Sequence, residues 1–258
     1  MKNLIFNATY IDFLYLLLGF ISVSFLSKSL PLQEFGEYVY YLSFIAIIAI
    51  PVGKGYTLAL VKVYTTHIPD PKKSKNTSTK YESYAMVGYV ALAIVVAAVS
   101  KEFISPLLVL CVVLIRSKLS RSKAFLKAYT QVNLAEIPEK IFQPLTFLVL
   151  SICVLYTYSN VSAEIILCVY LISLIITWGF QSAIALRARN KMNLDYNMSI
   201  TFLRQKTIFY DNIPSFLADN MVSVIFAQAG VLLVGFLLGA EFAGYYRVAE
   251  RMAQLAII

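Results

Sequence analysis

The chain has 258 residues, 59% of them hydrophobic and 14% charged, and 22 Lys and Arg against 14 Asp and Glu give it a net charge of +8. Soluble domains are roughly 45–50% apolar and about 25% charged, so a water-soluble globular domain is excluded. The basic excess is spread over three short segments between apolar runs instead of gathering on one soluble face, which argues against nucleic-acid binding and for a membrane protein.

The opening Met1-Lys2-Asn3-Leu4-Ile5-Phe6 runs into an apolar stretch too long for a signal-peptide core and without a small-residue cleavage site, so a retained first span is expected. A spanning helix needs about 20 mostly apolar residues. The predicted spans cover 9–30, 38–61, 81–100, 103–123, 137–158, 163–187, 209–239 and 242–258. All are helix-length, unlike the alternating ten-residue segments of an outer-membrane barrel. The sequence thus predicts an all-α polytopic membrane protein with about eight transmembrane helices. Short outer loops are expected at 31–37, 100–102, 159–162 and 240–241.

Basic residues fix the orientation. Segments 62–80, 116–127 and 187–206 carry five Lys or Arg each, and with Lys2 they place sixteen on one side of the membrane. Only Lys28 and Lys101 fall on the other side, while Lys54, Lys140, Arg247 and Arg251 lie in apolar or membrane-edge sequence. Basic residues near span ends mark the cytoplasmic face, so the N-terminus is cytoplasmic. The fourth span is weak, since its apolar run from Phe103 to Ile115 is short and leads into Arg116 and Lys118. Parity restores it: two basic segments on the same side require an even number of crossings between them.

No catalytic chemistry is expected. His67 is the lone histidine, and Cys111, Cys153 and Cys168 sit in apolar runs with no ligand spacing, so no metal site and no cofactor are predicted. Gly53-Lys54-Gly55 lacks the following Ser or Thr and the spacing of a P-loop. The outer loops are too short for the active site of a membrane-embedded polymerase. The reading is therefore not an enzyme.

Ionisable residues inside spans are costly and commonly face a polar interior, a partner or a pathway. Lys54 follows Pro51 and Gly53, where a helix can bend, and lies roughly 10 Å from the cytoplasmic end, within snorkelling reach. Asp12 falls just inside the first span, where the dipole at a helix N-terminus favours an anion. Asp219 lies roughly 15 Å along the seventh span and is a coupling or ion-pair candidate. Arg247 and Arg251 stack at i and i+4 with Glu250 beside them, and the two guanidiniums suit a phosphate-binding cavity wall. Glu136, Glu139 and Lys140 bracket Pro138 and read as a helix start. Tyrosines at expected outer span ends, among them Tyr38, Tyr156, Tyr158 and Tyr245, read as an interfacial belt.

Three stretches carry a resemblance. Leu32-Gln33-Glu34-Phe35-Gly36-Glu37-Tyr38 resembles the turn after the first helix of polysaccharide exporters. Pro144-Leu145 falls where that family often has a proline. Gln228 to Gly235, leading to Leu238-Gly239-Ala240-Glu241-Phe242-Ala243-Gly244-Tyr245-Tyr246-Arg247-Val248-Ala249, is similar to the seventh-to-eighth helix signature of oligosaccharide flippases, members of the multidrug/oligosaccharidyl-lipid/polysaccharide superfamily. Family members often carry Asp where this chain has Gly230.

The resemblance implies two six-helix lobes: a first lobe at 1–187, a cytoplasmic linker at 188–207, and a second lobe begun at 208–258. It implies a product missing about four helices. The activity implied is flipping of polyprenyl-diphosphate-linked oligosaccharides, such as O-antigen or capsule units, across the bacterial inner membrane by alternating access. Lys54, Arg247 and Arg251 are then substrate-binding candidates, and Asp219, Glu250 and Asp12 coupling or ion-pair candidates. The expected partners are the lipid-linked oligosaccharide, membrane lipids, and polysaccharide polymerase and chain-length machinery, with no nucleic acid. An ion gradient is the energy source left open. The alternatives are a multidrug/cation antiporter of the same superfamily, a membrane polysaccharide polymerase or glycosyltransferase, and a non-functional truncated remnant.

Overall fold

The computed structural model describes residues 2–50, 53–66, 106–128, 132–158, 160–191 and 202–256. Among these residues the chain is helical, without a strand. The helices are α1 (Lys2–Ser29), α2 (Leu32–Ile48), α3 (Lys54–Thr66), α4 (Pro106–Ala128), α5 (Val132–Thr157), α6 (Ala163–Lys191), α7 (Phe202–Leu238) and α8 (Ala240–Ala256).

Among the described residues, four helical stretches are long and apolar enough to cross a membrane: Thr9–Ser29, Val132–Thr157, Ala163–Ala188 and Ala218–Leu238. They fall on the expected first, fifth, sixth and seventh spans, so the chain is an α-helical membrane protein. The expected third span, 81–100, lies outside the described residues. The expected second span is two helices, because α2 stops at Ile48 and α3 begins at Lys54. Pro51, which cannot donate a helical hydrogen bond, sits in the interruption. At 17 and 13 residues, both pieces are shorter than the about 20 residues of a typical span. Helix α4 has the length, at 23 residues, but its second half carries Arg116, Lys118, Arg121 and Lys123. Helix α8 has 17 residues and holds Glu241, Arg247, Glu250 and Arg251.

Two expected loops are tighter than the sequence suggested. Helix α2 starts at Leu32, so the α1–α2 connection is only Leu30 and Pro31, closed by Phe35 N–H donating to Pro31 O at 3.0 Å. Gly239 alone joins α7 to α8 with φ of +101°, a conformation open to glycine. Its N–H donates to Gly235 O at 3.2 Å, and its carbonyl accepts from Ala243 N–H at 3.3 Å.

Within α5, Pro138 begins a π turn, Pro138–Phe142, and Gln143 N–H reaches back five residues to Pro138 O. A proline removes the N–H that an α ladder needs, and such a bulge is one way to absorb the loss.

The chain divides into two compact units, one of residues 1–47, 136–177 and 225–258, the other of 48–135 and 178–224. In the first, α1 packs along α8 and along α5. Tyr38 of α2 stacks on Phe147 of α5 with centroids 6.1 Å apart, and Phe147 meets Tyr170 of α6 edge-on at 5.8 Å. Such pairs add about 0.5–1.5 kcal/mol beyond area burial. Buried hydroxyls in α6 are satisfied by the helix itself: Ser173 donates to Tyr170 O and Thr177 to Ser173 O, both at 2.7 Å. In the second unit α3 lies against α4, with Tyr56 and Leu60 buried. Leu126, Ala135 and Ala188 form a core with Ile184 and Ala185 beside it. Gln181, fully buried, donates to Ala135 O at 3.4 Å.

Candidate functional site

Helix α8 presents residues 247, 250, 251 and 254 on one face, the i, i+3, i+4, i+7 positions of a helical stripe. Their side chains form one hydrogen-bonded chain. Arg247 Nη1 donates to Glu250 Oε2 at 2.7 Å, and the Glu250 Oε1 atom accepts from Gln254 Nε2 at 3.2 Å. Gln254 Oε1 in turn accepts from Arg251 Nη1 at 3.0 Å. Arg247 is 9% exposed.

Helix α1 supplies the opposite wall. The Arg251 guanidinium lies close to the Tyr15 side chain and over Gly19, one turn further on, where a Cβ would stand 3.8 Å from Nη1. The Arg251 Nε atom is buried and has no hydrogen-bond partner. Two guanidiniums face one carboxylate, so the network carries one unbalanced positive charge. A desolvated cation with an unused donor is an arrangement that an anionic oxygen completes.

The sequence brought Arg247, Glu250 and Arg251 together by spacing, and the structure joins them. Tyr15, Gly19 and Gln254 escaped that reading. Gln254 had a signal, since it continues the stripe at i+7, whereas Tyr15 and Gly19 belong to a helix far away in sequence.

The remaining candidates lie elsewhere. Asp12 is not at a helix N-terminus: α1 begins at Lys2, and the dipole's influence fades within the first turn. Asp12 instead pairs with Lys140, whose ammonium also lies 3.4 Å from Glu136. Lys140, read from sequence as part of a helix start, is thus the bridge between α1 and the π turn. Lys54 is the exposed first residue of α3 and belongs to the second unit. Asp219 is exposed, and no ion pair is recorded for it among the described residues. Its neighbour Asn220 is the buried member of that stretch, donating to Ile50 O at 3.0 Å beside the α2–α3 interruption. Gly53 is tight against the same amide, with a Cβ position 3.1 Å from Asn220 Nδ2.

Two of the stretches, 32–38 and 238–249, meet in space. A Cβ on Gly36 would overlap the Ala240 carbonyl, and one on Gly244 would stand 3.0 Å from the Phe35 ring and 3.4 Å from Gly36 Cα. At Gly230 the space beyond Cα is filled by the Tyr246 hydroxyl. Any side chain at that position would have to displace the tyrosine.

Among the described residues no group of three or more His, Cys, Asp or Glu converges to hold a metal ion, and the three cysteines are free thiols. The chain matches no family model, no curated protein and no solved structure.

Proposed function

We propose that the protein is a flippase for polyprenyl-diphosphate-linked oligosaccharides in the bacterial inner membrane, its N-terminus cytoplasmic, working by alternating access between two helical lobes. The observation that carries the reading is Arg251: a half-buried guanidinium in an apolar chain, with a buried, unpartnered Nε and no counter-charge of its own within the α8 stripe. A diphosphate supplies what is missing, since guanidinium takes phosphate oxygens in a bidentate fork. Arg247 is held by Glu250 and orients the stripe, leaving Arg251 as the contact to the anion. The polyprenyl tail stays in lipid, so transport needs no covalent step. Binding between transporter halves is the general pattern for proteins built this way. A net positive wall repels a cationic drug, which disfavours the antiporter reading.

The test is surface polysaccharide in cells carrying Arg251→Ala. Export is expected to be lost with membrane abundance unchanged, while Arg251→Lys, keeping charge but not the fork, retains part of it. Normal surface polysaccharide in Arg251→Ala would sink the proposal.

A further inference from the structure

A groove of about 620 Å³ opens in the first unit where the α1–α2 turn meets the α5–α6 connection. That size falls in the range of about 300–1,000 Å³ typical of small-ligand sites. Its walls include Phe25, Glu34, Leu155, Tyr156, Asn160 and Ser162. Glu34 is the one charged residue in the lining. Its Oε2 accepts the Ala163 N–H at 2.6 Å, which anchors the carboxylate at the start of α6. A carboxylate has about four acceptor positions, so this bond leaves capacity for a ligand donor.

The groove continues an apolar track. On α5, Leu145, Val149, Ile152 and Tyr156 recur at i, i+4, i+7 and i+11 and are exposed by 40, 56, 44 and 92%. This stripe runs along a helix apolar enough to cross the membrane and ends at the polar lining. Apolar track, polar head and single negative charge together describe an amphipathic ligand with a cationic head. The local charge runs against the chain's overall +8, which by itself favours anionic lipids.

We propose that this groove binds a zwitterionic phospholipid whose headgroup is phosphoethanolamine. The primary ammonium donates to Glu34, the phosphate accepts from the Asn160 amide and the Ser162 hydroxyl, and one acyl chain lies along the α5 stripe. A quaternary ammonium has no N–H to donate, and an anionic headgroup meets Glu34 without a counter-charge. The ligand is a resident lipid and does not depend on what the protein transports.

Native mass spectrometry of the full chain in detergent, titrated with phosphatidylethanolamine, phosphatidylcholine and phosphatidylglycerol of identical acyl chains, tests this. Phosphatidylethanolamine is expected to bind roughly fivefold more tightly than either, the size of one partly exposed charge-assisted hydrogen bond. Glu34→Gln keeps an oxygen for Ala163 and is expected to equalise the three lipids. Tyr156→Lys, at a position 92% exposed, places a competing ammonium beside Glu34 and is expected to lower phosphatidylethanolamine binding without affecting the fold. Equal binding of the three lipids to the native chain overturns the proposal, and so does a preference that survives both substitutions. Equal retention of a neutral glycolipid with the same chains also overturns it, because the ammonium then contributes nothing.

Discussion

Glu250 is the residue on which the α8 stripe turns. It accepts from Arg247 and from Gln254, and it is the only counter-charge the two arginines have within the stripe. Glu250→Ala leaves two like charges at i and i+4 in a largely buried setting. Removing one member of a buried pair costs of the order of 3 kcal/mol. In detergent this corresponds to a fall in Tm of roughly 5–10 °C for a chain of this size. Added pyrophosphate is expected to restore part of that loss, because a ligand that binds only the folded state stabilises it by mass action. An unchanged Tm would show that the arginines do not rely on Glu250. The stripe was legible in sequence because its members are neighbours on one helix. The Lys140–Asp12 pair and the Asn220–Ile50 bond were not, since their partners lie 128 and 170 residues apart. Spacing within an element can be read from a linear chain, but contacts between distant elements need the packing that the helix pattern leaves open.

Helix pairs in a lipid environment approach closely where small residues let them. Gly36 against Ala240 and Gly244 against Phe35 make such an approach between α2 and α8. Gly36→Ala forces the backbones apart, because the obstacle is the Ala240 carbonyl, which cannot swing away as a flexible side chain can. Overpacking of this kind costs about 1–3 kcal/mol. Gly179→Ala is the control, for no heavy atom lies within 4 Å of its Cβ position. The expected result is a lowered Tm for the first substitution and an unchanged or raised Tm for the second. Equal Tm values would remove the α2–α8 approach from the account. At this scale the sequence read the long apolar helices well, since length and hydropathy decide them. It ran α2 and α3 together because hydropathy across 38–61 stays high on both sides of Pro51, and averaging over a span hides an interruption a few residues long. It also lengthened the α1–α2 and α7–α8 turns, because Leu32-Gln33-Glu34 reads as polar loop when Glu34 is serving as the acceptor for the first N–H of α6.

For the molecule as a whole, the sorting of basic residues makes a claim that the helices alone do not. Sixteen Lys and Arg fall in segments assigned to the cytoplasm and two fall opposite. Lys28, one of the two, occupies the last turn of α1, where a cation complements the helix dipole, so its departure from the sorting has a local cause. If the positive-inside bias sets orientation, the connection at 159–162 faces outward and the basic end of α4 faces the cytoplasm. The checking measurement is thiol labelling of intact cells with a membrane-impermeant maleimide, after Cys111, Cys153 and Cys168 are replaced by serine. Asn160→Cys, exposed in the α5–α6 connection, is expected to label in intact cells. Ser122→Cys, within the basic half of α4, is expected to label only after permeabilisation. The reversed pattern would invert the molecule and move the Glu34 groove to the cytoplasmic leaflet. Labelling of both positions from outside would mean an even number of crossings between 122 and 160, or none, where the single crossing of α5 requires opposite sides. Because α5 is one continuous helix of 26 residues with a π turn inside it, that last outcome would require the helix to lie along the membrane surface instead of through it.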